Sequence, residues 1–129
     1  MVIDTSAFLA ILLQEPEAPA LIEAIVADPV RLASAATAMD ASLVVLSRRG
    51  EMGLGEFRAF AARANVDIVP FGPEHVEGAV DAFRRFGKGR HPAALNFGDC
   101  FAYALAKTSG EPLLFKGEDF ARTDIARAI

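Results

Sequence analysis

Apolar residues along this chain form short unbroken runs, separated by longer stretches in which they recur every three or four positions. The first run, Met1–Asp4 (MVID), reads as a buried strand that begins at the first residue. Helical patterns follow over Ser6–Leu13 and Pro16–Ala27, the second with Pro near its start, where a missing amide costs no helical hydrogen bond. Val30–Ser34 (VRLAS) is strand-like. Ala35–Arg49 is a long helical pattern that stops at Gly50, a residue type that commonly closes helices. Leu54–Ala64 is again helical, Val66–Phe71 (VDIVPF) is strand-like, and Pro73–Phe86 is an amphipathic helix. A loop rich in Gly and basic residues, Gly87–Pro92, leads to a helix over Phe97–Ser109 that ends at Gly110. Pro112–Lys116 (PLLFK) predicts a strand, and a weak last strand falls near Ile125–Ile129.

Strands that alternate with helices pair in parallel through right-handed crossovers. The pattern predicts an α/β protein with a mostly parallel sheet of about five strands and helices on both faces, a three-layer α/β/α arrangement. No repeat, low-complexity tract or linker interrupts it, so residues 1–129 are expected to form one domain. Binding sites in such sheets lie beyond the carboxyl ends of the strands.

The carboxylates carry the chemical signal. Asp4 is the only charged residue from Met1 to Gln14, Asp40 the only one from Leu32 to Ser47, and Asp99 the only one from Pro92 to Ala106. Each sits in a segment built for burial. A buried, unpaired carboxylate costs on the order of several kcal/mol or takes up a proton. No Lys or Arg lies close by in sequence to pair with them, and three such acids in one small chain call for a common partner. A divalent cation answers that need, and an all-oxygen ligand set favours Mg²⁺ or Mn²⁺ over zinc or copper. Asp4 closes the first strand, and Asp99 falls in the first turn of its helix, where the positive dipole end favours an anion. Asp119, in the turn Gly117-Glu118-Asp119-Phe120, follows the PLLFK strand and is expected at the same edge.

Structural readings stand beside these. Asp4 or Thr5 can cap the following helix, and Asn96 with Asp99 can form a variant capping box. Asp40 falls mid-helix and lacks that role, though Arg48, Arg49 or a distant base could pair with it. Thr5 and Ser6 offer hydroxyls for a metal-held water or a phosphate. His75 and His91 stand too far apart for a metal-binding helix motif and read as surface residues, and Cys100 reads as core packing. The densest basic stretch, Arg84-Arg85-Phe86-Gly87-Lys88-Gly89-Arg90-His91, ordinarily marks a solvated face. Placed just before the Asp99 helix, its cations Arg84, Arg85, Lys88 and Arg90 could hold an RNA backbone.

Bulk properties trim the alternatives. With 53% hydrophobic residues in 129, the chain can bury a sizeable core. The formal net charge of −4 argues against a protein coated in positive charge to grip nucleic acid. Cys100 is the single cysteine, so no disulfide framework or cysteine-zinc site is available, and a reducing cytoplasm is the simplest compartment. The apolar start lacks Lys and Arg and carries Asp4, unlike a signal peptide, and no run is long enough to span a membrane.

Three segments together resemble the VapC-type toxins, the PIN-domain ribonuclease half of bacterial toxin–antitoxin pairs. MVIDTSAFLAILL is similar to the family's opening strand, first acid and hydroxyl. GKGRHPAALNFGDCFAYALAK is similar to its most specific segment, and LLFKGEDFARTDI to its closing one. The resemblance spans essentially the whole chain. It implies a parallel α/β/α PIN-like fold, a homodimer, an RNA substrate and a VapB-type antitoxin that blocks the site. It also implies that Asp4, Asp99 and Asp119 take the acidic positions that bind Mg²⁺ or Mn²⁺. One position departs from the family's pattern. In SAATAMDASLVV the family usually carries Glu where this chain has Asp40, whose carboxylate is shorter by one C–C bond, about 1.5 Å.

The expected chemistry is metal-dependent hydrolysis of an RNA phosphodiester by Asp4, Asp40, Asp99 and Asp119. Two alternatives remain at this point. One is an aspartyl-phosphate phosphatase built on Asp4, although the usual second acid two residues later is replaced by Ser6. The other is a PIN-like interaction module whose site is weakened by Asp40. A covalent route through another nucleophile lacks its parts, since there is no Ser-His-Asp arrangement and Cys100 has no evident base.

Overall fold

A computed structural model describes residues 1–129 and consists of a four-stranded parallel sheet between two layers of helix. The strands are β1 (Val2–Ile3), β2 (Leu32–Ser34), β3 (Asp67–Val69) and β4 (Leu113–Leu114), in the spatial order β3-β2-β1-β4. The helices are α1 (Thr5–Leu12), α2 (Ala18–Ala27), α3 (Ala35–Arg63), α4 (Pro73–Phe86) and α5 (Phe97–Ser109), followed by a 3₁₀ turn at Phe120–Arg122. No helix is long and apolar enough to cross a membrane.

The three layers follow from the period of two along each strand. Ile3 and Leu114 point to one face, where they pack with Phe8 of α1, Leu21 and Ile25 of α2, and Val45 and Phe57 of α3. Val2 and Leu113 point to the other, where they meet Ala82 and Phe86 of α4, Tyr103 of α5, Phe115 and Phe120. β1 and β4 are therefore fully buried, which is why their runs are continuously apolar rather than alternating. The edge strand β3 exposes Asp67 and Ile68.

One expectation holds and two change. The helices predicted on either side of Gly50 are both present as the two arms of α3, which breaks at Gly50, whose φ of 65° and ψ of −159° lie outside the helical region. Glycine alone adopts that conformation cheaply. The fifth strand near the C-terminus is reduced to a single bridge between Leu113 and Arg127, closed by hydrogen bonds from Leu113 N–H to Ala126 O (2.8 Å) and from Ala128 N–H to Leu113 O (2.9 Å). Its partner β4 is only two residues long and begins after Pro112, so there is little ladder to extend. Finally, His75 is buried rather than at the surface. Its Nδ1 accepts the Gly72 N–H at 3.2 Å, so it closes the first turn of α4.

The loop before α5 has a closed base. Gly87 and Leu95 form a bridge, with Lys88 N–H donating to Leu95 O and Leu95 N–H to Phe86 O, both at 2.9 Å. The basic segment is thereby held beside the residue that precedes the α5 cap.

Candidate metal centre and the family it belongs to

Three of the acids reach the carboxyl edge of the sheet from different elements. Asp4 follows β1 as the N-cap of α1, and its Oδ2 accepts the Ser6 N–H at 2.9 Å and the Ser6 hydroxyl at 2.6 Å. The same Ser6 oxygen accepts the Lys116 N–H at 3.0 Å, tying the start of α1 to the chain leaving β4. Asp99 sits in the first turn of α5 in a reciprocal capping box. Asn96 N–H donates to Asp99 Oδ2 at 2.8 Å, and Asp99 N–H donates to Asn96 Oδ1 at 2.9 Å. The capping readings are thus correct for both, and they orient the carboxylates rather than neutralise them.

Asp40 arrives from the second turn of α3, where its Oδ2 accepts the Thr5 hydroxyl at 2.9 Å. Arg49, one of its proposed partners, is engaged elsewhere, donating to Leu12 O at 2.9 Å and pairing with Glu56 at 2.8 Å. The Asp40 carboxylate lies directly against Gly98. A Cβ built there would stand 3.1 Å from Asp40 Oδ2, so the bare backbone lets α3 and α5 approach closely. Sequence inspection passed over Gly98, although its place immediately before Asp99 was a usable signal. Asp119 stands in the exposed turn after β4, with no hydrogen bond or ion pair to its side chain.

None of the four acids forms an ion pair with a Lys, Arg or His. They do repel one another. Burial pushes the Asp99 carboxyl up to about 6 against the opposing hydrogen bond from Asn96, and the charges of Asp4, Asp119 and Asp40 push it further in the same direction. Asp4 is likewise raised, chiefly by burial, with the Ser6 hydrogen bonds opposing and Asp40 adding to it. Acids that each perturb Asp99 but find no protein cation form a donor set suited to a hard divalent ion. No three of them stand close enough to wrap an ion directly. An ion bound here would therefore keep part of its water shell and take only one or two of the carboxylates directly.

The basic stretch is less free than its sequence suggests. Arg84 pairs with Asp81 at 3.2 Å. Arg85 pairs with Asp81 at 3.4 Å and Asp124 at 3.1 Å and lies over the Phe86 ring. Arg90 lies 5.6 Å from the centroid of Phe83 with no acid partner, and Lys88 is exposed and unpaired. Lys88 and Arg90 are therefore the available cations of this run. Cys100 is buried, with its thiol raised to about 11 by burial and by Asp99, and it packs in the core as expected.

A parallel α/β/α sandwich with unpaired acids at the carboxyl edge of its sheet defines the class of architecture, and comparison with known proteins gives the family. The PIN domain family matches residues 1–126. The chain is 52% identical over 126 residues to the protein named Ribonuclease VapC of Mycolicibacterium smegmatis, covering 98% of each chain. It is also 52% identical to Ribonuclease VapC30 of Mycobacterium tuberculosis, covering 98% of this chain and 96% of that one. This chain belongs to the PIN-domain family and, within it, to the VapC group. Solved structures share the fold. The VapC20 toxin of Mycobacterium tuberculosis superposes with a TM-score of 0.78 at 16% identity, over 97% of this chain and 95% of that one. VapBC2 of Rickettsia felis gives 0.77 at 12% identity, over 98% and 94%.

Proposed function

We propose that this protein is the toxin of a VapBC-type pair, an endoribonuclease that hydrolyses RNA phosphodiester bonds with Mg²⁺ or Mn²⁺ bound among Asp4, Asp40, Asp99 and Asp119, directly by one or two of them and through water by the others. The observation that carries this reading is the unpaired set of carboxylates around Asp99, in a chain half identical to proteins named as VapC ribonucleases. A bound divalent ion supplies Lewis-acid polarisation of the phosphate and an activated water.

The chain's own residues prepare that site. Ser6 fixes Asp4, Thr5 fixes Asp40 and Asn96 fixes Asp99, each through Oδ2, so the orientation of these three carboxylates is set before a ligand arrives. Because Gly98 admits Asp40 so closely, an Asp serves where the family usually carries the longer Glu. Lys88 and Arg90, held beside the α5 cap by the closed base of their loop, contact RNA phosphates, whereas Arg85 acts mainly through the fold. A VapB-type antitoxin restrains the activity, the toxin works as a homodimer, and both act in the cytoplasm. The antitoxin assignment is supported by the VapC relatives.

Purified protein freed of antitoxin should cleave a structured RNA with Mg²⁺ or Mn²⁺ and stop in excess chelator. Expression without antitoxin should arrest growth, and Asp99→Asn at equal protein level should relieve the arrest. Cleavage that persists in chelator, or arrest that survives the substitution, would refute the reading.

A further inference from the structure

Asp119 has no side-chain partner of its own, so something else must fix where it stands relative to Asp99. Five residues further on, Asp124 is bound by three donors from two helices. Its Oδ1 accepts the Tyr103 hydroxyl at 2.7 Å. Its Oδ2 accepts Lys107 Nζ at 2.9 Å and Arg85 Nη2 at 3.1 Å. Asp99, Tyr103 and Lys107 are spaced four apart and so form one stripe along α5. At 1.5 Å of rise per residue, Tyr103 and Lys107 lie about 6 and 12 Å along the helix from Asp99. The helix that presents Asp99 therefore also grips the segment that presents Asp119.

That segment is stiff between its two acids. Phe120 is buried against Phe115, with ring centroids 5.3 Å apart. Arg122 N–H donates to Asp119 O at 3.3 Å, and Thr123 donates to Phe120 O through its N–H at 3.0 Å and its hydroxyl at 2.7 Å. A fixed Asp124 thus transmits its position to Asp119 through one compact turn. Asp124 is not itself a spare metal ligand, because both of its oxygens are already engaged. Burial alone would raise its carboxyl, but the hydrogen bonds from Lys107, Tyr103 and Arg85 outweigh this and hold it at about 2.

We propose that Asp124 is a positioning residue for Asp119, using the Tyr103–Lys107 stripe of α5 to set the spacing between Asp119 and Asp99. This rests on the metal-site reading above, and its test separates the two. Mn²⁺ binding to the full-length, antitoxin-free protein is measured by calorimetry for the natural chain, Asp119→Asn, Asp124→Ala, the double variant and Tyr103→Phe, with circular dichroism melts as the folding control. Loss of an outer partner of a metal ligand typically weakens binding on the order of tenfold. Asp124→Ala should raise the Mn²⁺ Kd by about that factor, and the double variant should bind no more weakly than Asp119→Asn alone. Tyr103→Phe removes one donor of three and should give a smaller rise with the same non-additivity; it decides the matter if Asp124→Ala does not fold. In RNA cleavage, the Asp124→Ala deficit should lie in kcat at limiting Mn²⁺ and recover at saturating Mn²⁺, with KM for RNA unchanged. The role is overturned if Asp119→Asn weakens binding while folded Asp124→Ala and Tyr103→Phe do not, or if the two losses multiply. A natural chain that binds no Mn²⁺ at all overturns the metal site itself.

Discussion

Replacing Gly98 with Ala isolates the close approach between α3 and α5 from the stability of the fold. The added methyl would lie 3.1 Å from Asp40 Oδ2 and 3.4 Å from Asn96 Oδ1, so Asp40 must yield by a few tenths of an ångström. The oxygen that yields is the one that accepts the Thr5 hydroxyl at 2.9 Å. A hydrogen bond to a charged group contributes roughly 1.5–3 kcal/mol, of which a small displacement forfeits a fraction. In the other direction, Ala in a helix is favoured over Gly by roughly 0.5–1 kcal/mol. The two effects oppose, so net stability should change by no more than about 1 kcal/mol, a melting shift of about 5 °C or less for a domain this size. Activity should respond much more, because an error of about 1 Å in a catalytic geometry can cost on the order of 100-fold, and a part of that displacement about tenfold. The assay pairs melts in chelator with RNA cleavage and Mn²⁺ titration. Gly55→Ala is the control: Gly55 lies on an exposed face of α3 with nothing within 4 Å of an added Cβ, so it should change stability alone. A folded Gly98→Ala protein that cleaves and binds metal like the natural chain would refute the reasoning, as would a loss of activity matched by a collapse of the melting point.

Other outcomes follow from the same geometry. Asp40→Asn keeps an oxygen for Thr5 but removes a like charge, so in chelator its melting point should hold or rise while its gain on adding Mg²⁺ or Mn²⁺ shrinks; a lower melting point with an intact metal response would make Asp40 a structural partner only. Asp99, raised to about 6 when folded and near 3.8 otherwise, disfavours the folded state once ionised, so the metal-free protein should lose stability as pH rises from about 4 to 6. Asp99→Asn should flatten that slope in chelator melts, and an unchanged slope would assign it elsewhere. Lys88→Ala and Arg90→Ala should each lower the salt dependence of RNA binding by about 0.7–0.9. Arg85→Ala should instead act mainly through the melting point, and equal salt effects at all three positions would contradict the pairing of Arg85 with Asp81 and Asp124.

How much of this was legible beforehand depended on whether the signal was local. α4 and α5 carry the bounds their periodicity predicts, because Pro73, Asn96 and Gly110 mark ends within reach of neighbouring residues. The solitude of Asp4, Asp40 and Asp99 in apolar segments was likewise written in the chain, and so was the resemblance to the VapC group. Sequence alone thus determined the layering, the family and the carboxylates worth watching. What it left open were contacts between residues distant in sequence. The pairing of Arg85 with Asp124, the Thr5 hydroxyl on Asp40 and the Lys116 amide on Ser6 join residues 39, 35 and 110 positions apart. The burial of His75 and the shrinking of the last strand to one bridge were also decided by packing. The physical reason is that helix and strand periods report only which face a residue is on. Which neighbour meets it there is set by how elements cross, and at Gly98 by the absence of a side chain that would have met the Asp40 carboxylate.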